Sequence, residues 1–240
     1  YLGFEAFRKG VTGYLKQRSW GNATADDFVA AISAQAAEGQ QEVVASAFQS
    51  FLEQPGLPVL ETSYNCGNIG DDSIFQVRLQ QHRYLPLGSD ANYHQQWKVP
   101  ACIAYSQNGE RKEDCRLLDK PLNLWLFKGA CPDWVMANAQ GAGYYRFNHS
   151  GEEWMRLLGA AAEFSPEEQI KLADSFVAAF VAGGVGLTDF LDGAHLLAQL
   201  PTRQAVVAAM SVLSDVINVW SADHGERQQL QTALREVYAE

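Results

Sequence analysis

FLEQPGLPVLETSYN, residues 51–65, holds the change on which the fold turns. Upstream of Gln54 the apolar residues Val44, Phe48, Phe51 and Leu52 recur at helical spacing. Pro55 and Pro58 then bar continuation, because proline has no N–H for the helix ladder and its ring collides with the preceding turn. From Val59 the period falls from 3.6 to 2, most plainly where Phe75, Val77 and Leu79 alternate with Gln76, Arg78 and Gln80. A helical segment ends and a sheet begins near residue 58.

Working outward to the N-terminal side, Phe7, Val11, Tyr14 and Leu15 form the apolar stripe of a first helix, which Gly21-Asn22-Ala23-Thr24 stops. Thr24, followed three residues later by Asp27, has the form of a capping box for a second helix that turns Phe28, Ile32 and Ala36 inward. The third helix starts after Glu38-Gly39. On the other side, strands are expected over 59–65, 97–105, 113–118, 121–127, 134–137 and 144–148 besides the Phe75–Leu79 strand. Turn formers such as Leu87-Gly88-Ser89-Asp90 and Gln107-Asn108-Gly109-Glu110 separate them. About seven short strands at this spacing read as an antiparallel β-sandwich. Trp97, Trp125, Trp134, Tyr144 and Tyr145 could form a carbohydrate platform or the ordinary filling between two sheets, and filling is the reading adopted.

After His149-Ser150-Gly151 the helical period returns with Trp154, Leu157 and Leu158. Ser165-Pro166-Glu167-Glu168 supplies an N-cap, a first-position proline and a capping-box acid for a helix lined by Ile170, Ala173, Val177, Phe180 and Val181, which Gly183-Gly184 ends. Thr188 opens another with Leu191, His195 and Leu196 inward, closed by Pro201. Val206, Met210, Leu213, Ile217 and Trp220 form the longest stripe, and Leu230, Leu234 and Val237 repeat the pattern. The expectation is a multidomain α+β chain: helices over 1–58, a sandwich over 59–148 and a helical array of antiparallel pairs over 149–240, as in bundles and solenoids.

With 240 residues, 47% hydrophobic and 19% charged, the chain can bury a sizeable core. Its net charge of −10 argues against nucleic acid, whose backbone is bound through clustered Lys and Arg. No apolar run approaches the roughly 20 residues of a membrane-spanning helix. Tyr1 and Leu2 run straight into an amphipathic helix with no initiator Met, as in an excised piece of a larger protein or one trimmed of a leader.

Chemistry is conspicuous by its absence. Zinc peptidases of the HExxH kind need two imidazoles one helical turn apart, and His82, His94, His149, His195 and His224 stand far from one another. Cys66, Cys102, Cys115 and Cys131 include no CxxC pair. If Asn108-Gly109 is the centre of a hairpin, Cys102 and Cys115 lie opposite each other, so a Cys102–Cys115 disulfide, with Cys66–Cys131 as its companion, competes with four free thiols. Four cysteines in one sandwich lean towards a periplasmic or extracellular setting. No GxSxG string occurs, and Gly183-Gly184-Val185-Gly186 reads as a helix cap rather than a phosphate cradle. The acid pairs Asp71-Asp72, Glu152-Glu153 and Glu167-Glu168 sit in turns or first helical turns, where they favour a helix N-terminus or face water. Asn22-Ala23-Thr24 fits a glycosylation acceptor but overlaps the cap. No catalytic, cofactor-binding or metal residue is assigned.

The strings YLGFEAFRKGVTGYLKQRSWGNATADDF and FLEQPGLPVLE, in that order, resemble the end of the catalytic domain in zinc aminopeptidases of the aminopeptidase N type. Phe51 stands where that family usually has Trp, and Phe4 where an acid is common. WKVPACIAY, GYYRFNHS and SPEEQIKLADSFVAAFVAGG extend the likeness across the chain, with most specificity in residues 1–60. The resemblance implies a parent that removes N-terminal residues from peptides with zinc, its helical domain walling the chamber. None of the family's zinc ligands, its glutamate base, its substrate-anchoring glycines or its tyrosine has a counterpart here, so no catalytic residue is carried over.

Two functions follow. In one, the chain is a non-catalytic part of an aminopeptidase, partnered by the catalytic domain of the same polypeptide and, through it, by peptide substrates. In the other, it is a stand-alone module that binds a protein or peptide without chemistry. Helices 1–58 are expected to leave an apolar face through which the chain could self-associate.

Overall fold

The structure, a computed structural model, describes residues 2–217 and 224–238. It is an α+β fold, with helices on either side of two sheets in the chain order.

Three helices come first: α1 (Phe4–Gln17), α2 (Ala25–Ser33) and α3 (Gln41–Leu52). The capping box forms as expected, with Asp27 N–H donating to Thr24 Oγ1 (3.2 Å) and Thr24 N–H to Asp27 Oδ2 (3.0 Å). Such a cap contributes about 1 kcal/mol. The α1 stripe is corrected by the structure. Phe7 and Leu15 are exposed, Leu15 to 61%, and the buried position is Gly10, where an added Cβ would come within 2.9 Å of Ile32 Cδ1 on α2. The missing side chain lets the two helices approach, while Tyr14 meets Phe28 edge-on at 5.3 Å and Phe7 and Leu15 stay exposed.

The first sheet has the order β5-β2-β1-β7, built from β1 (Pro58–Ile69), β2 (Asp72–Arg83), β5 (Leu122–Lys128) and β7 (Arg146–Asn148). The second has the order β4-β3-β6, from β3 (Val99–Gln107), β4 (Glu110–Leu118) and β6 (Val135–Met136). One pairing departs from an all-antiparallel sandwich: β7 runs parallel to β1, with Val59 opposite Arg146. A parallel neighbour cannot arrive by a tight hairpin, and β7 is separated from β1 by all the other strands. The β3–β4 turn places Asn108 (φ 55°) and Gly109 (φ 75°) in the left-handed region, the conformation a two-residue hairpin demands. Between the sheets, Phe75 stacks on Phe127 at 4.8 Å and meets Tyr105 edge-on at 5.1 Å, with Trp97, Trp125, Trp134 and Tyr145 also buried. Each fully buried ring or aliphatic chain contributes about 2–3 kcal/mol. Tyr144 departs from this core group and is 72% exposed.

The helices after the sheets are α4 (Gly151–Gly159), α5 (Pro166–Val181), α6 (Leu187–Ala198), α7 (Arg203–Asp215) and α8 (His224–Tyr238). An aromatic run ties them to the sheet: Phe147 of β7 stacks on Trp154 (5.4 Å), Trp154 meets Phe176 (5.2 Å), Phe176 stacks on Phe190 (5.3 Å), and Phe190 on Phe180 (4.0 Å). Gly193 lies in this packing, where an added Cβ would fall 2.3 Å from Phe176 Cζ. Several inward faces differ from the sequence expectation. On α6 the buried residues are Phe190, Gly193, Ala194 and Leu197, and His195 is exposed. On α7 they are Ala205, Ala209 and Leu213, while Met210 is exposed. Ile170 also faces out, because α5 buries Gln169, Leu172, Ala173 and Phe176 instead. Close helix packing selects the small residues of each turn, which a search for large apolar side chains overlooks. Trp220 and the side chains of Val237 and His224 lie outside the described residues.

Candidate functional site

The chemistry-bearing residues gather at the seam between the first sheet and the later helices. Glu61 on β1 accepts from Asn148 Nδ2 of β7 (2.9 Å), and its other oxygen lies 2.8 Å from His82 Nε2 on β2. The second ring nitrogen of His82 lies 2.9 Å from the Arg83 carbonyl, and Tyr93 stacks on the ring at 4.2 Å. Asn148 Oδ1 accepts from Trp154 Nε1 (3.0 Å), carrying the network into α4. Beside it, Arg146 makes a two-pronged pair with Asp174 of α5 (3.1 and 2.8 Å) and lies over the Tyr84 ring at 4.4 Å. Glu61, His82, Tyr84, Tyr93, Arg146 and Asn148 line a cavity of about 140 Å³. Its charged groups are already paired with one another, which is what a structural seam needs.

A second clasp lies at the N-terminus of α5. Glu168, 2% exposed, accepts from Arg111 Nη1 and Nη2 (3.1 and 2.6 Å), from Gln140 N–H (2.7 Å) and, as its capping-box acid, from Ser165 N–H (3.2 Å). Burial alone would raise this carboxyl. The bonds from Arg111 and from the backbone of Gln140 and Ser165 outweigh it, and Glu168 is held below its ordinary value. One acid thus joins β4, the turn at 139–141 and α5. Local sequence signals assign it only the cap role, since the Arg111 contact spans 57 residues. Gly141 belongs to the same clasp: at φ 63° it sits where a Cβ would come 2.7 Å from the Glu167 carbonyl.

His149 is buried at the same seam. Its ring meets Trp154 and Phe147 edge-on, and neither nitrogen makes a hydrogen bond of ordinary geometry. Burial pushes its pKa down to about 4, against the pull of Glu153, whose carboxylate lies 4.0 Å away. Glu153 itself is engaged by Ser150 and by Tyr64 N–H (3.2 Å).

Facing the first three helices is a groove of about 640 Å³, walled by Phe48 and Phe51 of α3, Pro100, Tyr144 and the Cys102–Cys115 pair. Phe51 approaches Tyr144 (6.1 Å) and Trp97 (6.4 Å). Polar ties are few: Gln54 Nε2 donates to the Gln96 carbonyl (2.8 Å) and Lys98 N–H to Ser50 Oγ (3.0 Å). Two apolar patches remain on the outside, one from Phe4, Phe7, Leu15 and Leu52, the other from Leu122, Leu124 and Leu126 on the edge strand β5.

The alternatives for the cysteines resolve into two disulfides, Cys66–Cys131 and Cys102–Cys115. The described residues do not suit a resident metal. All four thiols are bonded to one another, His82 is held by Glu61, His195 is on the surface, and no three His, Cys, Asp or Glu side chains cluster among the described residues. Among those residues no helix is long and apolar enough to cross a membrane.

Residues 134–240 match the ERAP1-like C-terminal domain family. The chain is 25% identical to puromycin-sensitive aminopeptidase of Caenorhabditis elegans over 240 residues, covering 99% of this chain and 23% of that protein. It is 24% identical to tricorn protease-interacting factor F2 of Thermoplasma volcanium (80% of this chain, 21% of that protein). With aminopeptidase N of Bos taurus it shares 27% identity (65% and 16%). The chain is similar to aminopeptidases related to aminopeptidase N, and spans less than a quarter of the length of these relatives. The domain match falls on the C-terminal half, where the string resemblance was least specific.

Proposed function

We propose that the chain is the non-catalytic C-terminal part of a zinc-dependent aminopeptidase that releases N-terminal residues from peptides, and that it shapes and closes the substrate chamber there. The observation that carries this is the uncovered apolar face of α1 and α3, on a chain that accounts for 23% of a full-length relative. Residues 1–58 are then the helical end of the catalytic domain, 59–148 the sandwich and 149–240 an array of helix pairs, solenoid-like in its stacking. The catalytic domain of the same polypeptide covers the open face, and in its absence two copies associate through it. Zinc belongs to that catalytic domain, since the donor set among the described residues does not fit it. Two disulfides support an oxidising, periplasmic or extracellular setting.

The test is the reading frame upstream of Tyr1 in the source genome. HExxH followed by a downstream Glu in the same frame is the expected result. A start codon at the boundary would overturn it in favour of a stand-alone binding module. In either case the isolated chain is expected to hydrolyse no alanyl anilide.

A further inference from the structure

The two disulfides close very different loops. Cys66–Cys131 joins residues 65 apart, tying β1 to the segment after β5, with Cα atoms 5.5 Å apart. Cys102–Cys115 joins residues only 13 apart, and these already form a hairpin paired at nine positions, from Val99–Leu118 to Gln107–Glu110. A cross-link stabilises chiefly by removing freedom from the unfolded chain, and it removes least where the loop is short. On loop length alone the second bond stabilises about 1.4 kcal/mol less than the first.

Its position is also of the kind at which facing strands come closer together. Cys102 N–H donates to Tyr145 Oη (3.2 Å), away from β4, so Cys102 and Cys115 are a non-hydrogen-bonded pair. Their Cα atoms are 4.0 Å apart, below the lower end, about 4.4 Å, of the range that disulfides ordinarily occupy. Departure from that range favours reduction. Cys115 is exposed, and both cysteines line the 640 Å³ groove, which gives a reagent a route to the sulfurs.

We propose that Cys102–Cys115 is a thiol-exchange site that takes a small dithiol, and that Cys66–Cys131 is the structural bond. The dithiol's thiolate attacks Sγ of Cys115, the S–S bond breaks, and its electron pair leaves on Sγ of Cys102, which takes a proton from solvent. The second thiol of the reagent then attacks its own mixed disulfide and releases Cys115 as a thiolate, which is protonated in turn. Two electrons and two protons pass to the protein, and the dithiol departs as a cyclic disulfide. Tyr145 and the hairpin ladder hold the strands in place throughout.

The experiment is a titration of the folded full chain with dithiothreitol at neutral pH, quenched with an alkylating agent and read by peptide mass spectrometry. Cys102 and Cys115 are expected to be alkylated together, at least about tenfold faster than Cys66 and Cys131. Prior or simultaneous opening of Cys66–Cys131, or no alkylation of either pair short of unfolding, overturns the proposal. Two double variants separate reactivity from stability. Cys102→Ser with Cys115→Ser should lower the thermal midpoint by about 3–6 °C less than Cys66→Ser with Cys131→Ser does. The reverse order would make Cys102–Cys115 the structural bond and sink the idea.

Discussion

Two helical regions flank the sheets, and they differ in what becomes of their apolar faces. Helices α1 to α3 bury only a handful of apolar residues, among them Val29, Ile32, Val44 and Ala47, and meet the sheets through few contacts. Helices α4 to α6 instead share a continuous aromatic packing with Phe147 of β7, and α5 is clasped to the sheets by Glu168–Arg111 and Arg146–Asp174. Both regions are equally amphipathic as sequence. Amphipathicity shows that a face wants covering; it does not say what covers it. In α4 to α7 the cover lies within the chain, and in α1 to α3 part of it does not.

The contrast is broken most directly by paired truncations. Trp154→Ala should cost about 3–5 kcal/mol in urea unfolding, since it empties the middle of the aromatic run. Trp20→Ala, at the exposed end of the first region, should change stability by less than about 0.5 kcal/mol. Equal losses at the two sites would mean that the first region is packed as tightly as the second.

Acid should act on the second region through His149. Its folded value near 4 lies below the roughly 6.5 of an unfolded histidine, so as pH falls the unfolded chain takes up the proton first. No stability from this source is at stake above about pH 6.5, and about 3 kcal/mol is lost by pH 4. Unfolding curves across that window should be steeper in pH for the parent chain than for His149→Phe. Parallel curves would remove His149 from the account.

Smaller effects refine the comparison. Glu168→Gln keeps the cap geometry but removes one of the two carboxylates paired with Arg111, leaving Glu113 at 2.7 Å. With Arg111 partly exposed, the expected cost is about 2 kcal/mol, less than for a fully buried pair. Phe7→Ser with Leu15→Ser should shift stability by no more than about 0.5 kcal/mol. The same double variant should weaken any self-association seen by sedimentation, because it removes the apolar patch and little else.

Much of this was legible in the chain. The Pro55–Pro58 stop, the Thr24 and Ser165 capping boxes, the Asn108-Gly109 hairpin and the alternation at Phe75–Leu79 are local signals, decided by residues a few positions apart, and the structure reproduces each. The hairpin also put Cys102 opposite Cys115, because register follows from the turn. Tertiary structure alone decided the rest. That Glu168 should meet Arg111, that β7 should lie parallel to β1, and that Gly193 and Ala209 rather than His195 and Met210 should face inward depends on partners many residues away. Sequence fixes periods and caps because those energies are local; which face is buried, and which charge finds its partner, is settled only when distant segments compete for the same space.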